Sequence, residues 1–394
     1  MYQPNLLLPA GRSAGEKPMA IEKITIQQFL KLSTQYPVLD VRSQGEYTHA
    51  HIPNAINIPL FTNDERKIVG TAYKQQNREI AIKLGLDFFG VKMKEIVEDV
   101  ERITAEFYKR NVKQKDSVPP LGAGGGILLH CWRGGMRSAA VAWLLDIYGF
   151  KVYTLTGGYK AYRNWVLQQV ALLYNFTIIG GFTGSGKTEV LHQLKKEDKI
   201  IIDLEALANH KGSAFGNMGT QPSQEMFENV LSKSLYDISC TMNDENLTST
   251  NHQPQAPCIY IEDESQRIGN LQIPSNIWLQ MRKSTILFLE IPFEERLDFI
   301  TAEYGKLSKE ALVNAIIRIQ KRLGGLETKN AINHLLENNT KESFRILLTY
   351  YDKWYLKGLN NRENLSAFLN KIPCKSVDCI LNSKNILVCT TTNV

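Results

Sequence analysis

At 394 residues, the chain is long enough for two or three domains of roughly 100–200 residues each. Its composition, 43% hydrophobic and 22% charged with 27 Gly and 14 Pro, excludes collagen-like, low-complexity and disordered classes. The net charge of +6 tolerates a phosphate-rich partner without requiring one, and no apolar stretch is long enough to span a bilayer. Six scattered cysteines with no secretory signal predict a reduced, cytoplasmic protein.

Residues 1–20 read as a disordered leader, with Met19 as an alternative start. From Ile21 a short helical segment leads into Tyr36-Pro-Val-Leu-Asp-Val-Arg42, a buried strand with Asp40 near its carboxyl end. A second short strand signal, Ile52 to Ile58, precedes helical periodicity over about 62–115. After the Pro119-Pro120 and Gly122–Gly126 break, Ile127-Leu-Leu-His-Cys131 is an apolar strand, followed by a glycine-containing loop and a helix from Ala139. Val152–Leu155 gives another strand and Gly158–Leu173 a helix.

At Tyr174 the pattern restarts. Strands at Phe176–Gly181, Ile200–Asp203, Cys258–Glu262 and Thr285–Glu290 alternate with helices, as in an open α/β sheet, and Pro292 to Leu359 reads as helices. No internal repeat is present. The predicted organisation is therefore leader, 21–173, 174–372, and a tail, 373–394, that carries no signal. Oligomeric state is not legible.

Two loops carry chemistry. Gly181-Phe-Thr-Gly184-Ser185-Gly186-Lys187-Thr188 matches G-x-x-x-x-G-K-[ST] between a strand and a helix. Its backbone N–H groups can wrap phosphate oxygens, Lys187 adds a cation, and the Thr188 hydroxyl is placed to hold Mg²⁺. Asp203 and the cluster Glu262-Asp263-Glu264, acids at strand ends, are the candidates to hold that ion or position water. Cys131, at a strand's carboxyl end facing Trp132, Arg133, Gly134, Gly135, Met136, Arg137 and Ser138, is the candidate nucleophile, because the loop, the helix dipole and two arginines favour a thiolate. His130 reads as a packed side chain. The spacing of Cys374, Cys379 and Cys389 does not suit zinc.

Asp40-Val-Arg42, Glu46, His51–Pro59 and the Cys131 loop together resemble a rhodanese domain. Five residues separate Cys131 from Arg137, whereas the common sulfurtransferase loop has four, and His130-Cys-x5-Arg-Ser138 fits the protein phosphatase signature. The whole chain resembles the tRNA 2-selenouridine synthase family through strings in order. These are Asn63–Arg66, Val69–Gln75, Cys131–Ser138, Gly157–Ala161, Gly180–Thr188, Asp203–Gly216, Glu262–Ser265 with Ile268-Gly269, and Lys321–Gly325. Lys211 departs from the family's usual arginine and Lys353 from its usual proline.

The resemblance implies an α/β protein, a rhodanese-like domain followed by a P-loop NTPase-like domain with a helical C-terminal region. It implies replacement of sulfur by selenium in 2-thiouridine at the tRNA wobble position, with selenophosphate and geranyl diphosphate as co-substrates and no tightly bound cofactor. His210, Lys211, Ser213, Arg267, Lys321 and Arg322 are candidate tRNA contacts on a phosphate-tracking surface. The competing readings are a Cys-dependent phosphatase or sulfurtransferase, and a non-enzymatic P-loop binding module.

Overall fold

The computed structural model describes residues 21–111, 126–211, 219–245 and 257–392. The expected leader and the candidate Ser213 lie outside the described residues. The chain divides between Gln168 and Gln169 into two compact units.

The first unit is built on a five-stranded parallel sheet. Its strands are β1 (Glu22–Ile24), β2 (Val38–Asp40), β3 (Ile56–Asn57), β4 (Gly126–His130) and β5 (Lys151–Leu155), in the order β1-β5-β4-β2-β3. Every residue of β4 is buried, as a central parallel strand covered on both faces requires. Leu39, Leu129, Val152, Val141 and Leu145 form the core on one face, closed by the helices Arg78–Asn111 and Met136–Tyr148.

Where a helical segment is expected from Ile21, the chain first forms edge strand β1. Its pairing, Glu22 opposite Tyr153, is non-local and leaves no trace in local periodicity. The helix Ile26–Leu32 then starts at Thr25 with a capping box to Gln28.

The second unit carries another parallel sheet. It comprises β6 (Asn175–Gly181), β7 (Ile201–Ile202), β8 (Cys258–Glu262), β11 (Thr285–Glu290) and β12 (Leu369–Pro373), ordered β12-β11-β6-β8-β7. A small antiparallel hairpin, β9 (Arg267–Ile268) with β10 (Leu271–Gln272), follows β8. In register, Ile179 of β6 lies opposite Glu262 of β8, so the turn after β6 and the acids after β8 emerge side by side at the carboxyl edge. Ligands of open α/β sheets sit at that edge.

Four helices, Phe293–Tyr304, Lys309–Leu323, Gly325–Leu336 and Thr340–Asn360, share a core of Leu297, Ile300, Ile316, Leu335, Phe344 and Leu348. The chain then returns to the sheet as β12. The silent tail ends in the helix Cys379–Thr392, whose Ile386 packs with Val190, Leu191 and Leu194 of the helix Lys187–Lys196.

Candidate functional site

Each unit presents one loop at the carboxyl edge of its sheet. In the first, Cys131 follows β4 and is buried, with Trp132 and Arg133 exposed beyond it. The helix Met136–Tyr148 begins within the loop and aims its N-terminus at the sulfur's surroundings. Ser138 Oγ lies 3.2 Å from Cys131 Sγ and 3.0 Å from the Gly135 carbonyl oxygen, so its one hydroxyl proton is within reach of both and turns to the sulfur when that is a thiolate. Burial pushes the Cys131 thiol up. Hydrogen bonds from the Ser138 hydroxyl and N–H, the Arg137 charge and the Arg133 N–H outweigh it and hold the thiol below its ordinary value.

The loop is pinned from behind. Tyr159 N–H donates to the Cys131 carbonyl at 2.8 Å and Lys160 N–H to that of Trp132 at 2.9 Å. This needs glycine at 158: its φ is +58°, and a Cβ there would lie 2.3 Å from the Cys131 oxygen. The Gly157–Ala161 string thus sets the loop's shape.

His130 is fully buried between Phe29 and Tyr159, and burial holds its imidazole below its ordinary pKa. Asp40 and Arg42 form a buried ion pair at 2.6 Å whose guanidinium lies 3.9 Å from the Tyr159 ring centroid. These groups build the floor of the site.

Glu46 accepts from Arg137 Nη1 at 2.8 Å and pairs with Arg66 Nε at 3.0 Å. Burial raises its pKa, but the two guanidiniums dominate and draw the carboxyl down to about 2. Arg66 escaped the sequence reading of the site, although it ends the Asn63–Arg66 string. Asn63 of the same string accepts from the Gly45 N–H at 2.8 Å and docks its helix there.

In the second unit the turn after β6 adopts the phosphate-loop conformation. Gly184 has φ +79°, and a Cβ would lie 2.6 Å from Ile300 Cδ1. Lys187 Nζ donates to the Gly181 carbonyl at 3.1 Å, and Ser185 Oγ is buried with no hydrogen-bond partner. Arg296, itself buried, donates to the Thr183 carbonyl at 3.0 Å and pairs with Asp352 at 2.7 Å, bracing the loop from the helical region. Tyr355 accepts from the Gly181 N–H at 3.2 Å and donates to Asp263 at 2.6 Å.

The acids divide by environment. Asp263 is held by Tyr355 and Arg362, and Asp203 caps the helix Leu204–Ala208 and meets His192 at 2.7 Å. Beside the loop instead stand Glu205, Glu262 and Glu264, whose oxygens lie within 4.8 Å of one another. Glu205 accepts from the Thr188 hydroxyl at 3.2 Å. Both Glu262 oxygens are buried without hydrogen-bond partners, and burial with the Glu205 charge pushes this carboxyl up to about 8. Burial and the charges of Glu205 and Glu262 raise Glu264 well above its ordinary range. Three carboxylates, the central one of Glu262 buried and the other two partly exposed, beside a hydroxyl make an oxygen donor set suited to a hard divalent cation. Sequence reasoning took Glu262 and Glu264 from this set and missed Glu205, which sits on a helix two residues beyond the strand-end acid Asp203.

The phosphate loop opens into a cavity of about 390 Å³. Phe299, Ile300, Tyr304, Tyr350, Tyr351 and Trp354 give this cavity an apolar and aromatic lining alongside Lys187 and Thr188. Two of the basic candidates belong to this cavity: Lys211, ion-paired with Glu303, and Arg322, 5.9 Å from the Trp354 ring centroid. Arg267 and Lys321 are exposed, and His210 is partly buried.

A cysteine loop on one parallel sheet and a lysine-bearing phosphate loop on another define a rhodanese-like domain joined to a P-loop domain. Residues 25–85 match the rhodanese-like domain, and residues 174–376 match the tRNA 2-selenouridine synthase AAA domain. The chain is 31% identical over 388 residues to a tRNA 2-selenouridine synthase of Bdellovibrio bacteriovorus, covering 87% of this chain and 94% of that one. It is 34% identical over 353 residues to that of Marinobacter nauticus, covering 81% and 87%. With that of Shewanella denitrificans the figures are 33% over 384 residues, 89% and 96%. The chain belongs to the tRNA 2-selenouridine synthase family. Among the described residues no helix is long and apolar enough to cross a membrane.

Proposed function

We propose that this protein is a tRNA-modifying transferase of the cytoplasm that replaces sulfur by selenium in 2-thiouridine at the wobble position. Selenophosphate is the selenium donor, and the base is first alkylated with geranyl diphosphate. In the first step the thiocarbonyl sulfur attacks the allylic carbon, a C–S bond forms, diphosphate leaves with the C–O electron pair, and the N3 proton of the base is released to solvent. In the second a selenium nucleophile adds at C2 and geranylthiolate leaves. Alkylation converts a poor leaving group into a better one, and neither step changes a net oxidation state.

The observation that carries this reading is the composition of the P-loop cavity. It joins N–H groups and Lys187, which suit a diphosphate, to an aromatic lining that suits an isoprenoid chain. A divalent cation, Mg²⁺ by donor type, would be held by Thr188, Glu205, Glu262 and Glu264. When bound it would neutralise charge on the leaving diphosphate.

The Cys131 loop would take the selenium donor, with Arg133 and Arg137 supplying positive charge. Arg267 and Lys321 are exposed cations suited to tRNA phosphates. The test is a Cys131→Ala variant assayed on 2-thiouridine tRNA for each step separately. Geranylation should persist and selenation should fall to background; full selenation in the variant would overturn the assignment.

A further inference from the structure

We propose that Cys131 acts on phosphorus, not on selenium: its thiolate displaces hydroselenide from selenophosphate and becomes transiently phosphorylated. This deepens the proposed function by naming the step at its first loop, and it rests on that reading. The P–Se bond breaks with its electron pair on selenium, leaving as hydroselenide, and a P–S bond forms at Cys131. Water then attacks phosphorus, the cysteine leaves as thiolate, and phosphate departs. Nothing is oxidised or reduced, whereas loading selenium onto the cysteine sulfur as a persulfide-type adduct either reduces phosphorus to phosphite or consumes an external oxidant.

Three features support a phosphorus-directed nucleophile. Five residues separate Cys131 from Arg137, which widens the ring of loop N–H groups from one fitted to a single chalcogen atom to one able to surround a tetrahedral oxyanion. Ser138 Oγ, 3.2 Å from Sγ, can donate to the sulfur and stabilise the thiolate as it leaves phosphorus in the second step. Finally, neither Glu46 nor His130 is set up as a general acid for a leaving group at the loop. Glu46 is ionised between Arg137 and Arg66, and His130 is buried and held neutral. An alkoxide leaving group needs such an acid; hydroselenide, a far weaker base, does not.

The experiment mixes the full-length protein with selenophosphate under anaerobic conditions, without tRNA. Released hydroselenide is trapped with a bimane reagent, and acid-quenched peptides are read by mass spectrometry. The expected result is a burst of hydroselenide close to one per chain, with a phosphoryl group on the Cys131 peptide. In Ser138→Ala the adduct should accumulate because its hydrolysis is slowed by about tenfold or more. Cys131→Ser should show no burst.

With p-nitrophenyl phosphate the protein should turn over slowly, and with a phosphoserine peptide it should not. Selenium found on Cys131, or no phosphoryl adduct in either the native chain or Ser138→Ala while geranylated tRNA is fully selenated, overturns this step and leaves the proposed function standing. A chain that neither releases hydroselenide nor selenates geranylated tRNA overturns both.

Discussion

Replacing Glu46 by Gln removes the charge that Arg137 and Arg66 share while keeping the side chain's size. In the folded protein the Glu46 carboxyl is drawn from 4.5 to about 2, so its ionisation favours folding. The shift sets a ceiling of about 3 kcal/mol, and solvent screening at the half-exposed Arg66 reduces the expected contribution to about 1–2 kcal/mol. The sign follows from the depressed pKa. The stabilisation is fully present above pH 4.5 and is lost as pH falls toward 2.

Urea unfolding of the native chain and Glu46→Gln at pH 7, 5, 4 and 3 should therefore show a stability gap that narrows by more than half by pH 3. A gap of the same size at pH 7 and pH 3 would refute an electrostatic origin and leave packing as its cause. The same substitution frees Arg137, so inorganic phosphate should protect Cys131 from iodoacetamide more strongly in the variant than in the native chain.

Lys187→Ala removes the phosphate-loop cation and should weaken geranyl diphosphate binding by about 1.5–3 kcal/mol; calorimetric titration with unchanged affinity would contradict the site. Since Glu262 is raised to about 8, it is protonated at pH 7 and must lose its proton when a divalent cation binds. Mg²⁺ titrations in buffers of different ionisation enthalpy should register proton release, which Glu262→Gln reduces, and affinity in the native chain should rise from pH 7 to pH 9. Gly158→Ala places a methyl against the Cys131 carbonyl in a left-handed residue and should cost at least about 1–2 kcal/mol in urea unfolding. It should also slow Cys131 alkylation at pH 7, because the displaced loop no longer presents its N–H groups to sulfur.

The central parallel strands were legible because strands buried on both faces are continuous apolar runs, as in Ile127–Leu129 and Ile286–Leu289. Both loops were legible because their glycines and cations must be contiguous to surround an anion. What stayed hidden depends on contacts distant in sequence. The edge strand β12 reads as nothing until β11 pairs with it, and the helix Cys379–Thr392 becomes necessary only as cover for the helix after the phosphate loop.

Among site residues, Asp203 had the expected strand-end position, yet the fold uses it as a cap, and Glu205 on the following helix turns toward Thr188. Arg66 reaches the cysteine loop only through Glu46, a link made by docking the helix Asn63–Gln75 on its neighbour. Lys211 and Arg322 looked like surface cations because sequence shows their charge and not the cavity they line.

The most direct test is nucleoside mass spectrometry of 2-thiouridine tRNA incubated with the protein and geranyl diphosphate, selenophosphate, both or neither. The account predicts S-geranyl-2-thiouridine with the first alone and 2-selenouridine only when both are present. Unchanged 2-thiouridine in all four reactions, with an active family enzyme run in parallel as control, would contradict it.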